Sequence, residues 1–293
     1  MHAANEACLY AAIGAPRDRQ DTLLRELVSP LIREIRDSPH LDSLFVVRYA
    51  DPTWQLRVRV LGRPAWIRGD VRPRLERALE PFKERGEIEG VAFGEYQREW
   101  ERYGGPEGMR LAERIFTHDS LACLDLLEAE ARGACARSRR EWSLTFVEDF
   151  LDLLDLNDTG RAAFYRAAHE WAFREGIFEG ADRDTLESRY RALRPGLEAL
   201  RSARRVGNGA LAYGGEKPAI IARTCLEATR PVIAQIVRGC RTGSVRGDPA
   251  SLAWSYTHMH CNRLGLDLSA EAILRYLMFR FYEDESRAAV TGA

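Results

Sequence analysis

Two apolar runs joined by a short polar link constrain this chain more than any other feature. Leu44 to Tyr49 and Leu56 to Leu61 are rich in β-branched and aromatic residues, and Asp51-Pro52 between them marks a turn. Together they predict a β-hairpin. Placing Asp51 to Trp54 at the turn pairs Tyr49 with Leu56, Val47 with Val58 and Phe45 with Val60. That register gathers six apolar side chains on one face and sends Arg48, Arg57 and Arg59 to the other. Upstream, Leu9 to Ile13 reads as a strand, and Leu23, Leu24, Leu27, Leu31, Ile32 and Ile35 recur at helical spacing. Downstream, Val71, Leu75, Leu79 and Phe82 mark a helix and Ile88 to Phe93 a last strand. The order β-α-β-β-α-β is that of a ferredoxin-like split unit.

After residue 105 the pattern is helical. Gly104-Gly105 permits a sharp bend and Pro106 suits a first helical turn. The helix that follows runs past Leu127, with a break expected near His118-Asp119-Ser120. Further helices fall around Phe146 to Leu154, Phe164 to Phe173, 184–205 and 218–238, with a mobile loop from Gly207 to Glu216. Glu148, Asp149, Asp152 and Asp155 follow the polar side of an amphipathic helix and read as solvated. Asp248-Pro249 opens one more helix, closed by Gly265. The chain is therefore α+β, with a ferredoxin-like portion at 1–105 and a helical portion at 106–293 expected to form one unit.

Charge and cysteine usage exclude several classes. The formal net charge of −1 over 293 residues gives no bulk attraction to nucleic acid or membrane. Six cysteines without CxxC pairing indicate reduced thiols rather than a disulfide frame or zinc site. No signal peptide and no stretch approaching eighteen apolar residues is present, so a cytoplasmic protein is expected. There is no Walker loop, HExxH or GxSxG. Gly207-Asn208-Gly209 follows an Arg-rich helix rather than a strand, which removes it as a nucleotide fingerprint. His258, His260 and Cys261 lack metal-ligand spacing on a helix, and Ser255 reads as structural.

Chemistry concentrates elsewhere. Of 43 basic residues only Lys83 and Lys217 are lysine, and guanidinium groups grip carboxylates in two-pronged fashion. Arg48, Arg57 and Arg59 lie on the hairpin, and Arg98 and Arg102 at the junction between sheet and helices, where sites commonly form. His258 and Asn262 stand four residues apart on one helix face, followed by Arg263. Cations plus one imidazole suit proton abstraction from a carbon acid whose leaving group or enolate is anionic.

These residues carry a resemblance. Arg48-Tyr49 running into Leu56-Arg57-Val58-Arg59, the stretch from Tyr96 to Gly105 with Glu101-Arg102-Tyr103-Gly104-Gly105, and His258-Met259 with Asn262-Arg263 occur in the order found in the C-terminal elimination domain of class I lanthipeptide dehydratases. The chain resembles the stand-alone small subunit of a split dehydratase in thiopeptide clusters, since it is too short for the family's first activity. The resemblance implies a lyase that removes glutamate from glutamylated Ser or Thr of a precursor peptide, leaving dehydroalanine or dehydrobutyrine. It implies Arg57, Arg59, Arg102 and His258 as catalytic residues, with Arg98 a competing match for the junction arginine. Arg48, Tyr96, Arg98, Asn262 and Arg263 would line the substrate. Asn262 is expected to orient the helix face, and Tyr96 and Arg263 to support from behind.

The implied partners are the glutamylated precursor peptide and a separate glutamylating subunit, which would itself use glutamyl-tRNA. No metal, organic cofactor, direct nucleic-acid contact or membrane is implied, and a homodimer is left open. Two other readings compete. One is a pyridine-forming thiopeptide cyclase of the same fold, joining two dehydroalanines and expelling the leader. The other is a non-catalytic subunit that docks the peptide.

Overall fold

The computed structural model describes residues 7–50, 52–178 and 182–291. Asp51 of the expected turn and the first six residues, on which the absence of a signal peptide was read, lie outside them. Strand β1 (Ala7–Gly14) leads into helix α1 (20–35), hairpin strands β2 (Leu41–Tyr49) and β3 (Gln55–Gly62), helix α2 (64–84) and strand β4 (Gly90–Gly94). The sheet order is β2-β3-β1-β4 with every neighbour antiparallel. This is the split βαββαβ arrangement that the sequence pattern predicts. Each of α1 and α2 contains one widened π turn, at Leu24–Val28 and Ile67–Val71. Among the described residues no helix is long and apolar enough to cross a membrane.

The hairpin register differs from expectation by one residue. Tyr49 pairs with Gln55, Val47 with Arg57, Val46 with Val58 and Phe45 with Arg59. The expected register assumed that only one face of the sheet is apolar. In fact both faces are covered, and β2 is buried continuously from Ser43 to Arg48. Leu44, Val46, Leu56, Val58 and Val60 pack against α1 and α2, while Phe45 and Val47 join the core of the helical portion. Arg57 and Arg59 thus share the face of Phe45, Val47 and Tyr49, and Arg48 lies on the opposite one.

Beyond the sheet, Gly104 and Gly105 both adopt positive φ, and a Cβ on Gly104 would meet the Arg246 carbonyl at 2.6 Å. The helices are α3 (Gly105–Ala131), α4 (Arg139–Leu153), α5 (Asp158–Arg174), α6 (Arg183–Arg205), α7 (Gly209–Tyr213), α8 (Glu216–Thr242), α9 (Pro249–Arg263) and α10 (Leu268–Thr291). Helix α3 is unbroken. Asp119 and Ser120 turn inward and find partners there, so the backbone need not yield. The expected loop at 207–216 contains α7, capped by Asn208 and tied to α4 through Tyr213 and Asp149. Asp248 caps α9 with a reciprocal capping box, and Gly265 ends its exit turn at φ 79°.

The acidic run on α4 divides. Asp152 and Asp155 are exposed, but Glu148 is 3% exposed and accepts hydrogen bonds from Arg161, Tyr165 and Tyr282. Asp149 is held by Arg204 and Tyr213. The solvated reading fails for these two because α5, α6 and α10 supply cations and phenols that a single helix pattern cannot reveal.

Candidate functional site

Strand β2 is an edge, yet its outward backbone is not left to water. Thr117 Oγ1 and Ser120 Oγ of α3 accept from the amides of Leu44 and Val46 at 3.0 and 3.2 Å. Arg263 Nε donates to the Val46 carbonyl at 3.1 Å. Asn262 completes the series, its Oδ1 accepting from the Arg48 amide and its Nδ2 donating to the Arg48 carbonyl, at 2.9 and 2.8 Å. Side chains of α3 and α9 thus stand in for a fifth strand and fix α9 against the sheet.

That docking orients the rest of α9. Arg263 is 1% exposed and pairs with Asp119 at 2.7 Å, and His260 Nδ1 meets the other Asp119 oxygen at 2.6 Å. Burial works to raise the Asp119 pKa, but His260 and Arg263 outweigh it and hold the carboxylate below its usual range. Cys123 lies close to the same carboxylate, but burial keeps its thiol protonated and both Asp119 oxygens are committed, so the trio suits an ion-paired brace better than a metal.

His258 projects differently. Its side chain is 31% exposed, and its Nδ1 lies 2.8 Å from Oε2 of Glu271 on α10. Glu271 also pairs with Arg275. Burial works to raise the Glu271 pKa, but Arg275, His258 and Arg102 outweigh it, so it is an ionised acceptor. An ionised acceptor at this distance favours the tautomer in which His258 Nδ1 carries the shared proton, with Nε2 not engaged by Glu271. One turn earlier, Ser255 Oγ accepts from Arg102 Nε at 3.1 Å, and Arg102 also pairs with Glu99 at 2.9 Å.

Arg98 is placed apart. It forms a two-pronged ion pair with Glu113 of α3, at 2.6 and 3.3 Å. Tyr96 lies beneath it, 5.6 Å from its guanidinium carbon, and burial raises the Tyr96 pKa. Arg59 also stands over that ring, at 4.7 Å from its centroid. Arg57 stacks on Tyr49 at 3.2 Å. No carboxylate among the described residues lies within ion-pair distance of Arg57 or Arg59, and Arg59 Nε is buried without a partner. Burial accordingly pulls the Arg59 pKa down.

Of the residues singled out by sequence, Arg102 and His258 are brought together through Ser255 and Glu271. Arg57, Arg59 and Tyr96 assemble on the sheet face. The two groups are bridged by the ring contacts Tyr96–Phe45, Phe45–Phe116 and Phe116–Tyr103, and the Tyr103 phenol feels both Arg102 and Arg59. Arg48 is removed from Arg57 and Arg59 by the sheet itself, with its side chain on Asp21 and the Arg263 carbonyl. Glu271 and Arg275 escaped sequence reading. Their signal is an acid and a base four apart on a helix whose neighbouring positions, Ala270, Ala272, Ile273 and Leu274, are apolar.

A ferredoxin-like sheet roofed by helices is a fold that known proteins share. The chain belongs to the family described as lantibiotic biosynthesis dehydratase C-term, whose pattern matches residues 9–282. Subtilin biosynthesis protein SpaB of Bacillus subtilis is 26% identical over 151 residues, 52% of this chain and 14% of that protein. The tRNA-dependent lantibiotic dehydratase MibB from Microbispora sp. 107891 superposes with TM-score 0.65 and 21% identity, over 99% of this chain and 29% of MibB. TsrL gives TM-score 0.65 and 22% identity over 96% of both chains. The pyridine synthase TbtD, from thiomuracin biosynthesis, gives 0.65 and 16% over 94% of this chain and 98% of TbtD. This chain thus spans a minor part of SpaB and MibB and nearly the length of TsrL and TbtD.

Proposed function

We propose that this protein is a lyase that eliminates glutamate from glutamylated Ser or Thr of a ribosomally made precursor peptide, leaving dehydroalanine or dehydrobutyrine. The observation that carries the reading is the pair Arg57 and Arg59, partly buried guanidinium groups with no carboxylate of the described residues in ion-pair reach, Arg59 Nε being buried without a partner, on the side of the sheet that faces α3 and α9. A buried cation without a counter-charge is costly unless an anionic ligand supplies it. A glutamyl group does so.

In this scheme His258 Nε2 exchanges a proton with the substrate, as base at the α-carbon or as acid toward the departing glutamate. When the α-proton leaves, its electron pair forms the Cα–Cβ double bond. The Cβ–oxygen bond breaks, and glutamate departs as a carboxylate. Glu271 fixes the His258 tautomer and balances the imidazolium. Arg57 and Arg59 hold the glutamyl carboxylate or the enolate oxygen. Arg102 rather than Arg98 is taken as the junction arginine of the site, because Arg102 reaches the His258 helix through Ser255 and its acid, Glu99, is exposed, whereas Arg98 is turned to the buried Glu113 of α3. Arg48, Asn262 and Arg263 act as supports that seat α9 on β2, and Tyr96 carries Arg59. Residues 1–105 and 106–293 operate as one unit, since the site takes residues from both. A separate subunit would glutamylate the peptide.

The test is mass spectrometry of a synthetic peptide carrying one glutamylated Ser, incubated with this protein alone. Loss of a whole glutamate to give dehydroalanine is expected. An unchanged peptide, together with ring formation from a peptide that already carries two dehydroalanines, would instead assign the protein to pyridine synthesis.

A further inference from the structure

Buried and half-buried arginines elsewhere in this protein are, as a rule, paired with acids. Arg48 has Asp21, Arg98 has Glu113, Arg161 has Glu148, Arg263 has Asp119 and Arg275 has Glu271. Arg57 and Arg59 have no acid and lie against aromatic rings instead, with one long neutral hydrogen bond from Arg57 Nε to Gln55 Oε1 at 3.4 Å. Arg59 has Tyr10 of β1 and Phe45 of β2 directly opposite it on its two neighbouring strands, with ring centroids 5.3 and 5.4 Å from its guanidinium carbon. Tyr96 adds a third ring at 4.7 Å. Arg57 faces the small Ala12 and Val47 across the ladder, and its rings come from the diagonal positions, Tyr49 at 3.2 Å and Tyr10 at 6.0 Å. Among the described rings, Tyr10 alone reaches both cations.

The difference is one of charge. A carboxylate partner fixes a guanidinium and cancels it. A ring face attracts the same cation through its quadrupole and contributes no net charge, so the group is oriented while its field stays available to a ligand. Two like charges two residues apart on one strand also repel, and a ring lying between them lets each approach without a shared acid. From this we infer that Tyr10 and Tyr49 are positioning residues, which act through their ring faces to keep Arg57 and Arg59 fixed, parallel in purpose and uncancelled for a carboxylate ligand. The inference rests on the elimination reading for the identity of that carboxylate, but not for the action of the rings.

It predicts a distinction between hydroxyl and ring. The experiment uses the full chain and three readouts on Tyr10→Phe, Tyr10→Leu, Tyr49→Phe and Tyr49→Leu: rotation of the Arg57 and Arg59 guanidinium groups by nitrogen-15 NMR, titration with glutarate, and glutamate loss from the glutamylated peptide. The Leu variants are expected to free guanidinium rotation, weaken glutarate by roughly 3- to 30-fold and lower kcat/KM by a similar factor, the range that a cation–π contact supports. The Phe variants are expected to recover slow rotation and most of the lost affinity and rate. Leu variants with slow rotation and unaltered glutarate binding would overturn the inference, as would Phe variants as impaired as Leu, which would place the effect in the hydroxyl. If the unaltered protein binds glutarate through slowly rotating guanidiniums yet releases no glutamate, the elimination reading fails and the ring cradle stands.

Discussion

Two regions of this molecule bury arginines, and they do it in opposite ways. Between α4, α5, α6 and α10, Arg161 and Arg204 share Glu148, and Tyr165 and Tyr282 close its remaining sites. On the covered face of the sheet, Arg57 and Arg59 meet phenols and a phenyl ring but no acid. Burial of a cation therefore does not by itself mark a site here. What marks it is whether the protein has already spent a carboxylate on that cation. The first region is a closed ion network; the second leaves its charge uncancelled by any described acid.

The largest expected effect would break the first region. Arg161→Met leaves Glu148 buried with one cation fewer and should cost about 3–5 kcal/mol of unfolding free energy, read as a lowered denaturant midpoint. Arg59→Ala should do the reverse. Glutamate release should fall by roughly two to three orders of magnitude, as for loss of one preorganised donor, while the melting temperature stays where it was or rises. An Arg59→Ala protein that melts early and keeps its rate would erase the contrast. Glu271→Gln sharpens it further, because the amide can no longer settle the His258 tautomer; kcat should drop about 10- to 100-fold with little change in KM.

Acid should expose the same division. In Asp119 and Glu271 burial opposes ionisation but their cationic partners prevail, so both carboxyls bind protons less tightly folded than unfolded. Glu187, held chiefly by Arg280, is lowered to about 2. Their stabilisation is complete above the unfolded carboxylate value of about 4 and is lost as pH falls through the depressed folded values. Urea midpoints should be level from pH 7 to about 5 and then fall, and Asp119→Asn should flatten that fall. The smallest effect is Thr117→Val, which strands the Leu44 amide and should cost about 1 kcal/mol in the same titration.

Strand and helix positions were largely legible because alternation and helical spacing are local properties. The hairpin register was not. Its derivation required one face of the sheet to be dry, and Phe45 and Val47 turn out to pack as deeply on the second face as Leu44 and Val46 do on the first. His258, Arg57, Arg59 and Arg102 could be singled out by residue type and by resemblance. Their companions could not: Glu271 and Tyr10 gain their meaning from His258 and the arginines of other elements, and Tyr49 from the hairpin register that sets it diagonal to Arg57. Glu148 shows the same blindness in reverse, since an acid on an amphipathic helix looks solvated until Arg161 and Tyr282 arrive.

The finishing of strand β2 by α9 also dictates a schedule. Arg48 and Asn262 are 214 residues apart, and among the described residues nothing nearer in the chain replaces the hydrogen bond that Asn262 accepts from the Arg48 amide and the one it donates to the Arg48 carbonyl. During synthesis α3 can cover the Leu44 and Val46 amides early, but the Arg48 end of that edge remains unsealed until nearly all of the helical portion has emerged. Contacts of such separation close slowly, and an unsealed edge is a template for other strands. Truncations ahead of residue 262 should therefore yield aggregating protein rather than a folded N-terminal half, and this protein should lean on chaperones more than its size alone would require.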